Sequence, residues 1–238
     1  MFKYRIPVLL VVAALLAGCG TVSLTGSGNV VTQEEAITGF DKVDASQGFQ
    51  VDVSQGDTFR VVIRVDDNIV EHLEVAKKGD TLRIGLKRNR SYRLKNVTLE
   101  AEVTMPTLVG LDLSGGSHAT LTGFTSTEDF NVDLSGGGRL RGDLEAGDVS
   151  FDLSGGSQMT LSGSAQDLKL DASGGGQIDL SAFSVVDANV EMSGGGRATV
   201  NASGRLDVDA SGGSHVTYVG SPTLGNIDTS GGSSVERE

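Results

Sequence analysis

The sequence predicts an all-β fold, a right-handed parallel β-helix or closely related β-solenoid with repeats of about 19 residues and Ser-Gly-Gly corners. Three observations carry that expectation. Ser-Gly-Gly recurs seven times, at Ser114, Ser135, Ser154, Ser173, Ser193, Ser211 and Ser230, spaced 21, 19, 19, 20, 18 and 19 residues apart. Each copy follows a stretch that alternates apolar and polar residues, such as Phe130-Asn131-Val132-Asp133-Leu134, and precedes a second one, such as Met159-Thr160-Leu161. Period two marks a strand with one buried face. Glycine supplies 34 of 238 residues, roughly double ordinary usage, and tight corners need its freedom at positive φ. A propeller blade needs about 40 residues, and a hairpin meander would not repeat one corner after every first strand. A chain that winds once per repeat does, with equivalent strands stacked about 4.8 Å apart. The alternative architecture is a two-sheet sandwich.

The elements follow in chain order. Lys3 and Arg5 precede an apolar run from Ile6 to Leu16, which ends in Leu16-Ala17-Gly18-Cys19. Such a run is too short to span a bilayer and has the size of a signal h-region. The tetrapeptide resembles the bacterial lipobox at all four positions, and Cys19 is the only cysteine. That resemblance implies a lipoprotein signal over residues 1–18, cleavage before Cys19, lipidation of Cys19 and attachment to the membrane. Gly20, in place of Asp, implies the outer membrane in a Gram-negative host. Without Lys3 and Arg5 the formal charge moves from -12 to -14. The mature chain then has no thiol left for a disulfide.

Residues 19–38 are expected to be the lipidated Cys and a Gly/Ser/Thr-containing tether, followed by one domain over 39–238. Its first part, 39–108, is β-rich and irregular, and 109–238 holds the seven regular repeats. Val43-Asp44-Ala45 and Phe49-Gln50-Val51-Asp52-Val53 alternate, and each is followed by Ser-Gln-Gly; both resemble degenerate coils. Residues 59–65 and 81–86 read as strands, and 67–73 as one or two helical turns. Residues 87–95 carry Lys87, Arg88, Arg90, Arg93 and Lys95, the one basic cluster. It reads as a solvated hairpin loop or as a contact for anionic glycans or lipid headgroups.

The run from Val97 through Met105-Pro106-Thr107-Leu108 to Leu111-Asp112-Leu113-Ser114-Gly115 resembles the head GIN domain of bacterial envelope proteins, a family named for autotransporter-adhesin heads. The run Phe49 to Asp57 matches it as well, and the resemblance spans about 39–235. It implies a β-helical fold and a surface or periplasmic location, and it brings no catalytic residues.

Stacking turns each repeat position into a column. Two residues before the corner Ser stand Asp112, Asp133, Asp152, Asp171, Glu191, Asp209 and Asp228, seven acids in seven repeats. Neighbouring carboxylates at the strand spacing repel by roughly 1 kcal/mol even in bulk water. The stripe must therefore be solvated, hydrogen-bonded or neutralised by a cation such as Ca2+, which takes several oxygen ligands. Four residues after the Ser run His118, Arg139, Gln158, Gln177, Arg197, His215 and Ser234, whose bases are expected to offset the stripe across the corner. Asp112, Ser114 and His118 are not a catalytic triad, because the Asp/Ser pair recurs where Arg or Gln replaces the His. No phosphate loop, thiol nucleophile or zinc constellation is present. The acidic balance excludes nucleic acid as a partner.

The resulting expectation is a non-enzymatic envelope lipoprotein that binds a glycan or an envelope protein through a rigid, acidic β-helix. The alternatives are a carbohydrate-active β-helix resembling a polysaccharide lyase, and a structural or sensory periplasmic partner protein.

Overall fold

The structure is a computed structural model that describes residues 21–88 and 90–238; residues 1–18 and Cys19 lie outside the described residues. Strands account for 66% of it and helix for 3%, and the chain winds as a β-solenoid of about 6 turns. Among the described residues no helix is long and apolar enough to cross a membrane.

Every repeat contributes one strand to each of two sheets. The strand before the Gly corner joins a ten-stranded sheet, which includes Gly110–Leu113, Phe130–Leu134, Val149–Gly155, Asp167–Gly174, Asp187–Gly194, Arg205–Ala210 and Thr223–Thr229. The strand after the corner joins an eleven-stranded sheet, from His118–Thr125 through Gln158–Ser164 to Ser234–Arg237. Neighbours within these runs pair in parallel and in register: Leu111 lies beside Val132, Val132 beside Phe151 and Phe151 beside Leu170. Alternation in the sequence thus becomes apolar columns, three of them on the ten-stranded sheet at Phe130/Val149/Leu168, Val132/Phe151/Leu170 and Leu134/Leu153/Ala172, closed against those of the other sheet. Phe49, Phe130, Phe151 and Phe183 are fully buried in this core, and the rings of Phe151 and Phe183 lie 6.2 Å apart.

The corners show why glycine recurs. Gly174 has φ +98°, and a Cβ there would lie 2.6 Å from the carbonyl oxygen of Gly155 in the coil below. Coil-to-coil backbone approach, as well as turn geometry, therefore excludes a side chain. The third residue after the corner Ser points inward. Where it is Ser, the hydroxyl is satisfied locally: Ser157, Ser214 and Ser233 donate to the carbonyls of Ser154, Ser211 and Ser230 at 2.7, 2.9 and 2.9 Å, and buried Ser117 accepts from Gly48 N at 3.1 Å.

The first half obeys the same logic with an interruption. Lys42–Ala45 and Gln50–Gln55 form one coil around Ser46-Gln47-Gly48, where Gln47 takes the positive φ of a corner glycine, +63°. The second Ser-Gln-Gly, at Ser54, is not another corner; it leads into an excursion over 56–108. That excursion returns as Thr81–Leu86 and Leu99–Met105, which stack in parallel on the outer side of the 42–55 coil. Antiparallel strands then close this end: Leu73–Lys78 on one sheet, and Arg60–Asp66 followed by Val30–Glu35 on the other. A 3-10 helix, Asp67–His72, links the two closing layers, as the helical reading of 67–73 requires.

Two expectations need correction. Residues 21–35 do not form a tether: Thr21–Thr25 and Val30–Glu35 are strands, and Leu24, Val31 and Ile37 pack against the core. Their alternating apolar residues cover an end of the stack that would otherwise be exposed. The basic segment is not simply a hairpin loop, since Ser91–Lys95 pairs in parallel with Thr21–Thr25, Ser23 opposite Arg93 and Thr25 opposite Lys95.

Candidate binding face

The outer face of the ten-stranded sheet gathers the acids that the repeat foretold. Asp112, Asp133, Asp152, Asp171, Glu191, Asp209 and Asp228 are consecutive register partners. The ladder has an eighth rung, Asp44, which pairs in register with Asp112. There it ends on cations: Arg83 Nε and Arg88 Nη2 lie 3.4 and 3.0 Å from the Asp44 carboxylate. Along its middle, the ladder and the corner serines line a groove of about 540 Å3, running past Asp133, Asp152, Asp171, Glu191 and Asp209 with Ser135, Ser154, Ser173, Ser193 and Ser211.

Burial and the crowding of like charges together raise two of the rungs. Asp112 is pushed up to about 6, first by burial, then by the charge of Asp133 and its hydrogen bond, then by Asp44. Asp152 is raised by burial and by Asp133 and Asp171 on either side. The one base within the ladder's reach in this region is already engaged, since Lys169 Nζ lies 2.7 Å from Asp171.

A second acidic column stands at the other end of the same strands, and sequence reasoning missed it. Asp129, Asp148, Asp167 and Asp187 share the repeat spacing, and the carboxylates of Asp129, Asp148 and Asp187 serve the backbone of the next coil. Asp148 N donates to Asp129 at 3.1 Å, Asp167 N to Asp148 at 3.3 Å and Arg205 N to Asp187 at 2.6 Å. Their interval of 19 to 20 residues was available in the sequence. Between them and the strand centres lies a smaller groove of about 430 Å3, which includes Asn131, Ser150, Lys169 and Asn189. Arg205 is tied to Asp207 by two short contacts, which hold the Asp207 carboxyl down at about 2, together with the backbone N–H of Asn226.

The column after the corner lies on the other sheet. His118, Arg139, Gln158, Gln177, Arg197, His215 and Ser234 align in register there. Its bases do not offset the acid ladder: among the described residues Arg139 and Arg197 make no ion pair. The corner turns the chain from one sheet to the other, so side chains on either side of it point outward in different directions. The same turn separates Asp112 from His118. His118 is held below the ordinary imidazole value by burial and by Arg139. Among the described residues no three acids, cysteines or histidines gather in a metal-holding group, so the ladder offers cations only pairs of neighbouring rungs.

The geometry has counterparts. The family model described as "Putative auto-transporter adhesin, head GIN domain" matches residues 39–222. A "putative adhesin" from Bacteroides fragilis superposes with a TM-score of 0.82 at 23% identity, covering 90% of this chain and 100% of that one. A "putative lipid binding protein" from Parabacteroides distasonis gives 0.71 at 20% identity, over 91% and 100% of the two chains. A "putative adhesin" from the same organism gives 0.66 at 19%, with the same coverage. At these identities the likeness is one of fold. No curated protein matches the sequence.

Proposed function

Since the chain belongs to the head GIN domain family, we propose that it is a lipid-anchored envelope protein whose solenoid is a rigid, non-catalytic binding surface. The observation that carries this reading is the groove of about 540 Å3 along the acid and serine ladder. Its hydroxyls and carboxylates recur at the strand spacing of about 4.8 Å, so it presents a repeated row of hydrogen-bond acceptors. Such a row suits sugar hydroxyls or the backbone and basic side chains of an envelope protein. Its charge repels anionic polysaccharides, and so its ligands are neutral or cationic.

A lyase-like activity needs a base converging with an acid on one bound sugar. On this face Lys169 and Arg205 are each committed to a neighbouring aspartate, which favours binding over turnover. The anchoring part of the reading rests on Leu16-Ala17-Gly18-Cys19. Two or more acyl chains hold a protein firmly, whereas one gives marginal binding.

A glycan array followed by product analysis tests the reading. Retention of neutral or amino-bearing glycans, lost in Asp152→Asn/Asp171→Asn, is the expected result. Release of cleaved or unsaturated oligosaccharides would overturn the non-catalytic assignment. A crosslinking pull-down from intact envelopes, with Cys19→Ser as the mislocalised control, tests the protein-partner branch of the same reading.

A further inference from the structure

We propose that the two-stranded ribbon of Thr21–Thr25 and Ser91–Lys95 is a membrane-docking surface that takes anionic lipid headgroups. The inference rests on the lipid-anchor reading of Cys19 and adds to it a specific protein face and a headgroup chemistry. Three observations converge on the ribbon.

The first is position. Thr21 is two residues from Cys19, and a fully extended chain covers at most about 3.6 Å per residue. The ribbon therefore begins within about 7 Å of the anchored residue. The register sets Ser91 beside Thr21 and Arg93 beside Ser23, so the basic segment, distant in sequence, is brought to the anchor by strand pairing.

The second is chemistry. Both strands alternate exposed and half-buried residues in phase. Val22, Leu24, Tyr92 and Leu94 face inward, and the ring of Tyr92 meets that of His72 at 5.8 Å. The outward set is Thr21, Ser23, Thr25, Ser91, Arg93 and Lys95, which contains hydroxyls and two cations and no carboxylate. Exposed Arg90 adjoins it. This is an unusual composition for a chain of charge -12.

The third is availability. Lys87 is committed to the carbonyl of Glu71 at 2.6 Å and Arg88 to Asp44 at 3.0 Å. Arg90, Arg93 and Lys95 make no ion pair among the described residues. The nearby Asp66 does not neutralise them from the surface, because it is 1% exposed and its oxygens accept from Gly28 N and Thr98 N. Free cations beside an anchor are drawn to an anionic leaflet, and each contributes about fivefold. Three together favour the docked state by on the order of a hundredfold at low salt.

The test uses the full chain, processed in a lipoprotein-making bacterium and reconstituted into vesicles. One set is phosphatidylcholine alone and the other contains one third phosphatidylglycerol, both in 0.1 M NaCl. Acylation of lysines by a water-soluble amine reagent is read by mass spectrometry, and the same digest reports whether the Cys19 peptide carries lipid. We expect Lys95 to react about tenfold more slowly on the anionic vesicles, with Lys169 unchanged as the internal control. Arg90→Gln/Arg93→Gln should return Lys95 to the neutral-vesicle rate, as should 1 M NaCl. An unlipidated Cys19 peptide overturns the anchor reading. A lipidated one with equal Lys95 rates on both vesicles overturns the docking surface alone. Protection of Lys95 by inorganic phosphate or dextran sulfate on neutral vesicles, without protection by phosphatidylglycerol, would assign the patch to a soluble anion or a glycan and overturn the proposal.

Discussion

Replacing Asp112 by Asn removes a carboxylate whose charged form is disfavoured first by burial and then by its neighbours on the ladder. Asp112 stands between two acidic rungs, Asp44 and Asp133, with Arg83 as its nearest relief. Its carboxyl is pushed from 3.8 up to about 6 in the folded chain. A group whose folded value is raised holds its proton more tightly in the native state, so the native state is favoured at low pH. That advantage is full below 3.8 and is lost as the pH rises through 6. At 1.36 kcal/mol per pH unit the gap corresponds to about 3 kcal/mol. Asp112 is solvent-exposed at its outer edge, so screening reduces this to about 1 kcal/mol. For a chain of this size that is a melting shift of about 2–4 °C. Thermal melts of the wild type and Asp112→Asn at pH 4, 5, 6, 7 and 8 read it directly. The wild type should lose stability relative to the variant between pH 4 and 7, and the variant should be the more stable protein at pH 8. The opposite dependence of Asp207, held down at about 2, falls at lower pH and is common to both proteins. Parallel curves for the two proteins from pH 4 to 8 would refute the reading that burial and the neighbouring rungs raise the Asp112 carboxyl.

Two further expectations concern the corner and the cation. Gly174→Ala places a Cβ 2.6 Å from the Gly155 carbonyl at φ +98° and should cost about 3 kcal/mol, whereas Gly175→Ala, with nothing within 4 Å, should stay within about 1 kcal/mol; chemical denaturation compares them. Ca2+ bridging two neighbouring rungs should bind only weakly, near the millimolar values of open sites; at ten times such a dissociation constant it adds about 1.4 kcal/mol, and identical melting midpoints in Ca2+ and EDTA at matched ionic strength would remove it.

Much of the solenoid was written locally. A period of two specifies strands, a period near nineteen specifies stacking, and their product names seven rungs of the ladder. What escaped was pairing across long separations. Asp44 stands two residues before Ser46, at the rung position of a degenerate coil, but Gln47 replaces the corner glycine and the excursion of 56–108 breaks the period, so its pairing with Asp112 could not be read from spacing alone. Residues 21–35 share their Gly, Ser and Thr content with true linkers. Only partners at 60–66 and 91–95 make them strands, and a composition-based reading cannot see partners.

The column from Asp129 to Asp187 shows the converse, a periodic signal present in the sequence at the loop-to-strand junctions, where the alternation has not yet begun. The carboxylates of Asp129, Asp148 and Asp187 are taken up by backbone N–H groups of the following coil, whereas the rungs from Asp133 to Asp209 line an open groove. Two columns with the same period and the same residue type therefore divide between architecture and recognition, and hydrogen-bond satisfaction is what tells them apart. An acid already accepting from the backbone has less to offer a ligand, and removing it loosens the stack. An acid crowded only by its neighbours destabilises the stack and is relieved by whatever binds it. That asymmetry is why the rungs, and not the loop aspartates, are the residues to mutate when the ligand of this face is sought.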